Sequence, residues 1–209
     1  MSAVCFDLDG TLTDPKEGII GCIRYALERL GAPQPDSDDD LTWCIGPPLL
    51  GSFEQLVGDK ASEALALYRE RFGDVGLFEN AVFPGIRGVL DALKGEDRRL
   101  FVATSKPTVY AERILKHFEL YDFFEHVYGS ELDGTRADKT ELLAWVLAQS
   151  KLDASSAVMI GDRRHDVIGA RNNGMDAIGV LYGYGDADEL SGAGARVLCP
   201  RPEDLTALL

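Results

Sequence analysis

The sequence predicts an α/β fold in which helices cover both faces of a parallel sheet and an all-helical segment is inserted after the first strand. Two observations support this prediction. From Val82 onward, strand-like and helix-like patterns alternate along the chain, as in a parallel sheet with crossover helices. Between residues 15 and 82, by contrast, no stretch has a convincing strand pattern.

The composition is that of an ordinary globular protein with an acidic balance. A length of 209 residues suits one substantial domain, or one core with a smaller inserted domain. The net charge of −14 argues against nucleic-acid binding, which needs a basic face. Four scattered cysteines have no metal-ligand spacing, and no apolar run is long enough to cross a membrane. We therefore expect reduced thiols and a cytoplasmic protein.

The first strand ends in two carboxylates, Asp7 and Asp9. Side chains two positions apart lie on the same side of a strand, so both acids emerge together at its carboxyl end, where open α/β sheets bind ligands. Gly10 lets the backbone turn and present N–H groups to an anion. Buried acids beside an anion site favour a cation between them, which suggests Mg²⁺-dependent phosphate chemistry. A plain turn or a calcium-loop fragment is the alternative, although the later acidic ligands of such a loop are missing.

The inserted segment is expected to be helical throughout. Its first helix covers 16–30 and ends at Gly31, with a proline two residues later. After an acidic loop, a short helix is expected over 41–45. The run Gly46-Pro47-Pro48 then breaks it. Two further helices are expected over 50–57 and 61–72.

The second half begins with a turn at 83–85 and then alternates between helix and strand. Each expected strand is short, apolar and followed by polar or glycine residues. The expected elements are helix 86–93, strand 99–104, helix 107–118, strand 126–128, helix 139–150, strand 157–160, helix 164–173 and strands 177–181 and 196–198.

Three further sites with chemistry-bearing residues lie at strand or helix ends in this half. Thr104 and Ser105 precede a helix expected to open with Pro107, and helix N-termini bind anions. Lys139 opposes the dipole of the helix that it begins, which hints at a functional demand. Asp162 and Asp166 are spaced to share one face of a helix, where they repel unless a cation lies between them. Taken singly, these residues could be ordinary helix caps or an exposed lysine.

The order and spacing of these sites resemble the four-motif pattern of haloacid dehalogenase superfamily phosphatases, over nearly the whole chain. The run from Gly161 to Gly174 is similar to that of the phosphoglycolate phosphatase-like group and its bacterial 5′-nucleotidase-like branch. The resemblance implies a Rossmann-like, doubly wound catalytic core made of residues 1–14 and 84–209. It also implies an inserted α-helical cap domain of residues 15–83. The motifs that carry it are Asp7-Leu8-Asp9-Gly10-Thr11, Thr104, Lys139 and Gly161-Asp162-x-x-x-Asp166.

Transferred by motif position, Asp7 is expected to be the nucleophile that forms an aspartyl-phosphate. Asp9 is expected to be the general acid and then the base. Lys139 is expected to neutralise charge, because a carboxylate attacks phosphorus only when repulsion between the two anions is cancelled. The expected phosphate-binding residues are Thr104, Gly10, Thr11 and Ser105. The expected Mg²⁺ ligands are Asp7, Asp9 through its carbonyl, Asp162 and Asp166.

The sequence therefore predicts a Mg²⁺-dependent phosphomonoesterase acting on small phosphorylated metabolites, with phosphoglycolate and nucleoside 5′-monophosphates as first candidates. Dehalogenases of this superfamily lack the second acid of the first motif, so Asp9 argues against that branch. A phosphomutase of the same fold and a non-hydrolytic phosphoryl-accepting module stay open as alternatives. So does the choice between monomer and homodimer. It is also open whether Arg163, Arg164, His165 or the 45–49 loop contacts substrate, whereas 182–185 is expected to be an aromatic-packed turn.

Overall fold

The structure is a computed structural model that describes residues 2–209. Its helices and strands follow the chain as β1 (Ala3–Phe6), β2 (Thr13–Asp14), α1 (Lys16–Arg29), α2 (Leu49–Val57), α3 (Ala61–Arg71), β3 (Ala81–Val82), α4 (Ile86–Gly95), β4 (Arg99–Pro107), α5 (Thr108–His117), β5 (His126–Ser130), α6 (Lys139–Ser150), β6 (Ala157–Gly161), α7 (Arg164–Asn172), β7 (Asp176–Val180), α8 (Ala187–Ala193), β8 (Val197–Cys199) and α9 (Leu205–Leu208).

The main sheet has six strands in the order β5-β4-β1-β6-β7-β8, and the neighbouring strands pair in parallel. The predicted α/β class with a Rossmann-like parallel sheet is confirmed. Every residue of β1 is buried, which explains why this strand is a short, wholly apolar run. The chain runs from β1 outward to β4 and β5, and then crosses back to β6 on the other side of β1. The carboxyl ends of β1 and β6 therefore flank the topological switch point, where such sheets bind ligands.

The chain divides into two compact units, which are described separately. The first, called the core unit here, runs up to Asp14 and resumes at Val82, whereas the second, the helical unit, is Pro15–Ala81. The sequence placed the second boundary two residues later, between 83 and 84. In the helical unit, a 3₁₀ turn over Asp39–Cys44 lies between α1 and α2, where a short helix was expected. A second 3₁₀ turn over Gly58–Lys60 joins α2 to α3, and a π-helical turn over Phe72–Gly76 follows α3.

Some of the expected element boundaries are wrong. The two residues of β3 pair with β2 in a second, small sheet, although no strand was expected between residues 15 and 82. Two residues are too few to show a period. Pro107 ends β4 in an extended conformation rather than opening α5, whose first residue is Thr108. The short helices α8 and α9 were not predicted.

Apolar side chains of one face of the sheet, among them Cys5, Phe101 and Met159, form a hydrophobic core with buried residues of α6 and α7. Burial raises the pKa of the Cys5 thiol to about 12, with Lys139 acting in the opposite direction. All four cysteines are buried and none forms a disulfide. Within residues 2–209, no helix is long and apolar enough to span a membrane.

Candidate active site

Three carboxylates meet at the carboxyl ends of the two central strands. Asp7 follows β1, Asp162 follows β6, and Asp166 lies in the first turn of α7. Each offers a carboxylate oxygen such that these atoms all lie within 4.8 Å of one another, and all three residues are buried. The pairing of β1 with β6 brings this group together, since the Asp7 N–H also donates to the carbonyl of Ile160 at 2.9 Å.

Asp162 is fully buried, and both of its carboxylate oxygens accept hydrogen bonds. The backbone N–H of Tyr184 donates to Oδ2 at 2.8 Å, and the Thr11 hydroxyl donates to Oδ1 at 3.4 Å. Burial raises the pKa of Asp162 well above its usual value, and repulsion from Asp166 and Asp7 raises it further. A nearby cation would therefore stabilise the ionised form of the Asp162 carboxyl group.

Lys139 is the cation that contacts the other two acids. Its buried Nζ lies 2.7 Å from Asp166 Oδ1 and 3.2 Å from Asp7 Oδ1, and it donates to the carbonyl of Ala103 at 2.9 Å. Burial lowers the pKa of this lysine, but the two carboxylates outweigh burial, so its pKa lies above the usual value. The lysine can begin α6 because the Asp138 side chain caps that helix, accepting from the backbone N–H groups of Thr140 and Glu141.

The pKa of Asp166 is raised to about 6. Burial is the largest cause, attraction to Lys139 opposes it, and repulsion from Asp7 adds to it. The second oxygen of Asp166 accepts from the backbone N–H of Arg163 at 3.1 Å, which fixes the carboxylate at the start of α7.

The Asp9 side chain lies outside this three-carboxylate group and has a lysine of its own. Lys106 Nζ lies 2.7 Å from Asp9 Oδ2 and 2.8 Å from Asp9 Oδ1. Burial raises the pKa of Asp9, and Lys106 works against that shift. Lys106 was not predicted from the sequence as a residue of the site. The available signal was its spacing, because it is two residues after Thr104, at the end of an apolar strand. That the Asp9 carbonyl ligates a metal stays a prediction.

Thr104 is buried at the carboxyl end of β4, where its hydroxyl oxygen accepts from the backbone N–H of Lys106 at 3.2 Å. In this hydrogen bond the Thr104 hydroxyl is the acceptor, so its own proton remains available for donation to another group. The neighbouring Ser105 is half-buried, and its carbonyl accepts from the Ser130 hydroxyl at 2.8 Å. Both residues lie where the pairing of β4 with β5 shifts register.

The N–H of Gly10, which was expected to face an anion, donates to the carbonyl of Thr13 at 2.8 Å. The structure gives Gly10 a different requirement. Its φ is +80°, and an added Cβ would lie 2.2 Å from Asp162 Oδ2. Thr11 likewise contacts Asp162 rather than facing an open site. These two residues therefore shape the carboxylate group, and their contact with phosphate stays a prediction.

The segment after β7, taken from the sequence as an aromatic turn, also shapes Asp162. Tyr182 does pack edge-on against Phe83, with ring centroids 5.1 Å apart. However, a Cβ on Gly183 would lie 2.4 Å from the Asp162 Cβ. The Tyr184 hydroxyl hydrogen-bonds to Asp14. The alternating glycines around Tyr184 were the sequence signal for this close approach.

Arg163 pairs with Glu189, with Nε 2.9 Å from Oε1, and the Arg164 N–H donates to the same oxygen at 2.9 Å. These contacts favour a structural role for the two residues, tying α7 to α8. The pKa of the half-buried His165 is lowered, first by burial and then by Arg164 and Arg163. Substrate contact by His165 stays a prediction.

The residues present fit a divalent cation. The donors are carboxylate oxygens, which hard cations such as Mg²⁺ prefer. When all three buried acids are ionised, they carry three negative charges against the single positive charge of Lys139, so a divalent cation would balance the group. Gly10 and Gly183 approach Asp162 so closely that neither position could carry a side chain without displacing that carboxylate.

Comparison with known proteins identifies the family. The sequence profile described as haloacid dehalogenase-like hydrolase matches residues 4–180. A 5′-nucleotidase of Pseudomonas aeruginosa is 52% identical, covering 90% of this chain and 86% of that protein. The tyrosine-protein kinase PtkA of Mycobacterium tuberculosis is 43% identical, covering 88% of this chain and 64% of the kinase. The crystal structure of a predicted phosphatase from Clostridium acetobutylicum superposes with a TM-score of 0.95 at 40% identity, covering 99% of this chain and 97% of the other.

The chain belongs to the haloacid dehalogenase-like hydrolase family. The family resemblance drawn from the four motifs is confirmed, as is the prediction of an enzyme of the phosphatase class within it. The predicted metal centre is supported at the level of a buried acidic cluster.

Proposed function

We propose that this protein is a Mg²⁺-dependent phosphomonoesterase that hydrolyses small phosphorylated metabolites through an aspartyl-phosphate on Asp7. The observation that carries the proposal is the buried group of Asp7, Asp162 and Asp166, with Lys139 Nζ in contact with two of its members. A nucleophilic carboxylate needs positive charge beside it when it approaches a phosphate dianion, and Lys139 together with a bound cation would supply that charge.

In the first step, an Asp7 oxygen attacks phosphorus and the bond from phosphorus to the ester oxygen breaks. Asp9, as the carboxylic acid, gives its proton to the departing alcohol. Thr104 donates its hydroxyl proton to a phosphoryl oxygen, and Lys139 offsets the negative charge beside Asp7. In the second step, Asp9 as carboxylate takes a proton from water, and the water oxygen bonds to phosphorus. The bond from phosphorus to the Asp7 oxygen breaks, which releases phosphate and restores the Asp7 carboxylate and the Asp9 carboxylic acid.

When bound, the cation would supply charge neutralisation for the attacking and phosphoryl oxygens. Asp7 and Asp162 would hold it, with Asp166 beside them and the Asp9 carbonyl as a further ligand. The Tyr184 N–H and the Thr11 hydroxyl orient the Asp162 carboxylate, and the Arg163 N–H orients that of Asp166. Contacts of this kind set ligand geometry and metal affinity.

Nucleoside 5′-monophosphates are the first substrate candidates, since a relative named 5′-nucleotidase is 52% identical. Phosphoglycolate is the second, on the family resemblance. We further propose that the helical unit acts as the cap that selects among them and that the 45–49 loop contributes to the choice. The cytoplasmic location and the oligomeric state stay predictions.

The proposal is tested with purified full-length protein and p-nitrophenyl phosphate, followed by a panel of phosphorylated metabolites ranked by kcat/KM. We expect turnover that EDTA abolishes and Mg²⁺ restores. Asp7→Asn should remove activity, by at least ~10³-fold, because an amide is a poor nucleophile. The matched control is Asp91→Asn, which changes an exposed acid on α4 of the same unit.

Full turnover by Asp7→Asn would refute the nucleophile assignment. A stable phosphoprotein without turnover would instead favour a phosphoryl-accepting module. Isomerisation of a sugar phosphate would favour a phosphomutase. Because a 43% identical relative carries the name tyrosine-protein kinase, ATP with a tyrosine-containing protein belongs in the panel as well.

A further inference from the structure

Lys106 is a second buried lysine at the active site, and the mechanism above does not use it. It lies near the end of β4, and its side chain is 6% exposed. Its Nζ is bidentate on Asp9, 2.7 Å from one carboxylate oxygen and 2.8 Å from the other. The two lysines of the site are thus divided between the two acids of the first motif, since Lys139 contacts Asp7 and Lys106 contacts Asp9.

A buried ion pair of this kind is not explained by stability. Removing an ammonium and a carboxylate from water costs several kcal/mol per ion, and apolar residues of similar volume are often as stable in such a place. Lysine is also rarely buried unless it is paired. The presence of the pair at the carboxyl ends of β1 and β4, where the reaction takes place, points to a role in the chemistry.

The backbone that carries Lys106 is held in place on both sides. Its own N–H donates to the Thr104 hydroxyl oxygen at 3.2 Å. The Ser130 hydroxyl donates to the preceding carbonyl, that of Ser105, at 2.8 Å. Gly129 passes so close that an added Cβ would lie 2.5 Å from the Lys106 carbonyl oxygen. The position from which the lysine reaches Asp9 is therefore fixed by the sheet.

Asp9 needs such an anchor. Its carboxylate lies outside the group formed by Asp7, Asp162 and Asp166, so a metal held there would not orient it. As a general acid and then a base, it must keep one oxygen aimed at the reacting atoms in both protonation states. A carboxylic acid retains one acceptor oxygen. Lys106 can therefore donate to one oxygen of Asp9 in both protonation states, while the other oxygen gains or loses the proton.

We propose that Lys106 is a positioning residue that holds the Asp9 carboxyl for proton transfer to the leaving-group oxygen. The inference rests on the proposed function and adds a residue to it. In the step concerned, the bond from phosphorus to the ester oxygen breaks, the Asp7 oxygen bonds to phosphorus, and the Asp9 proton moves to the ester oxygen. Lys106 keeps its own protons throughout.

The test compares two leaving groups in one enzyme. An alkyl phosphate needs its alkoxide protonated, whereas p-nitrophenolate leaves as a stable anion. For Lys106→Met, kcat/KM for the alkyl phosphate should fall by about 10²-fold or more, and kcat/KM for p-nitrophenyl phosphate by less than about tenfold. This ratio reports the transfer of the phosphoryl group to Asp7 and not the later hydrolysis, in which Asp9 acts on the same phosphoenzyme for both substrates. Lys106→Arg should recover part of the alkyl phosphate rate, because it retains a donor. The matched control is Lys116→Met, which removes an exposed lysine paired with Glu112 at 3.1 Å on α5.

Two results would overturn the inference. One is an equal loss of kcat/KM for both leaving groups, and the other is a rise in KM with kcat unchanged, which would make Lys106 a substrate ligand. If Lys106→Met fails to fold because Asp9 is left unpaired, the double variant Asp9→Asn/Lys106→Met decides. Its alkyl phosphate rate should equal that of Asp9→Asn alone, and a further loss would contradict action through Asp9. Failure of the proposed function is distinguishable, because it would appear as no wild-type hydrolysis of either ester.

Discussion

The ion pairs of the candidate site in the core unit are buried, whereas two ion pairs of the helical unit are exposed to water. In the core unit, Lys106 and Lys139 pair with acids at side-chain exposures of 10% or less. In the helical unit, Lys16 pairs with Asp39 at exposures of 40% and 81%, and Arg24 pairs with Asp38 at 29% and 63%. Water screens the second set and not the first, so their effects on stability and on reactivity differ greatly.

This difference shows where the chemistry lies. The buried acids Asp9, Asp162 and Asp166 of the core unit have raised pKa values. Strongly shifted pKa values of this kind cluster at functional sites. The acidic loop of the helical unit has no such feature. There, the pKa of Asp39 is lowered by its hydrogen bond to Lys16 and by the charge of that lysine, as for a solvated acid beside a base.

The largest effect is expected for Lys139→Met. This change removes the cation beside Asp7 and Asp166 while keeping a side chain of similar length. We expect kcat/KM for p-nitrophenyl phosphate to fall by ~10²–10³-fold, the usual cost of removing one charge stabiliser. The steady-state rate at saturating Mg²⁺ checks this. Lys151→Met, which changes an exposed lysine in the same unit, is the control, and a loss of less than about threefold for Lys139→Met would contradict the assigned role.

The next effect is expected for Gly183→Ala. The added methyl would lie 2.3 Å from the Gly10 carbonyl oxygen and 2.4 Å from the Asp162 Cβ, so Asp162 must move. Divalent-metal affinity, measured by calorimetry, should fall by about 10–100-fold, as for loss of other contacts that orient metal ligands. Gly192→Ala on α8 is the matched control, because an added Cβ there would meet no atom of residues 2–209 within 4 Å. Equal affinities in the two variants would refute the role assigned to the segment after β7.

A smaller effect concerns pH and the metal-free protein. Because folding raises the pKa of Asp166 from 3.8 to about 6, the folded state holds this proton more tightly than the unfolded state. The stability that Asp166 contributes is therefore fully present below pH 3.8 and is lost as the pH rises through about 6. Urea unfolding in EDTA across this range should show a decline in stability that Asp166→Asn lacks.

Added Mg²⁺ should reduce that decline, because the cation favours the ionised carboxylate. If wild type and Asp166→Asn lose stability in parallel as the pH rises, Asp166 does not titrate in this range and the account of its burial is wrong.

The smallest effect is expected in the helical unit. Asp38→Asn breaks the ion pair with Arg24, whose Nε lies 2.6 Å from the carboxylate. We expect the free energy of unfolding to change by less than about 1 kcal/mol, since exposed pairs contribute little. Thermal and urea unfolding check this value. A loss several times larger would mean that the contrast between the two units does not hold.

Much of the site could be predicted from the sequence because its residues follow strand ends. Asp7, Thr104 and Asp162 each come directly after a buried apolar run, and parallel strands bring such positions to one edge. Lys106 and Tyr184 were missed for different reasons. Lys106 directly follows Thr104 and Ser105, whose hydroxyl groups were taken as the functional feature of that segment. Tyr184 contacts Asp162 through its backbone N–H, which leaves no side-chain signal in the sequence.

The boundaries show a similar limit. Helices α1 and α6 lie close to where periodicity and capping placed them. The two-residue strands β2 and β3 and the extension of β4 to Pro107 depend on pairing with chain segments distant in sequence, which local patterns do not reveal.

The central claim is that one divalent cation binds among Asp7, Asp162 and Asp166. A crystal soaked in Mn²⁺ and measured at the manganese absorption edge tests it most directly. The account predicts a single strong anomalous peak at ligand distance, about 2.0–2.3 Å, from the carboxylate oxygens of Asp7 and Asp162. A map with no peak there, or with its peak at the exposed acids of the 36–40 loop, would contradict it.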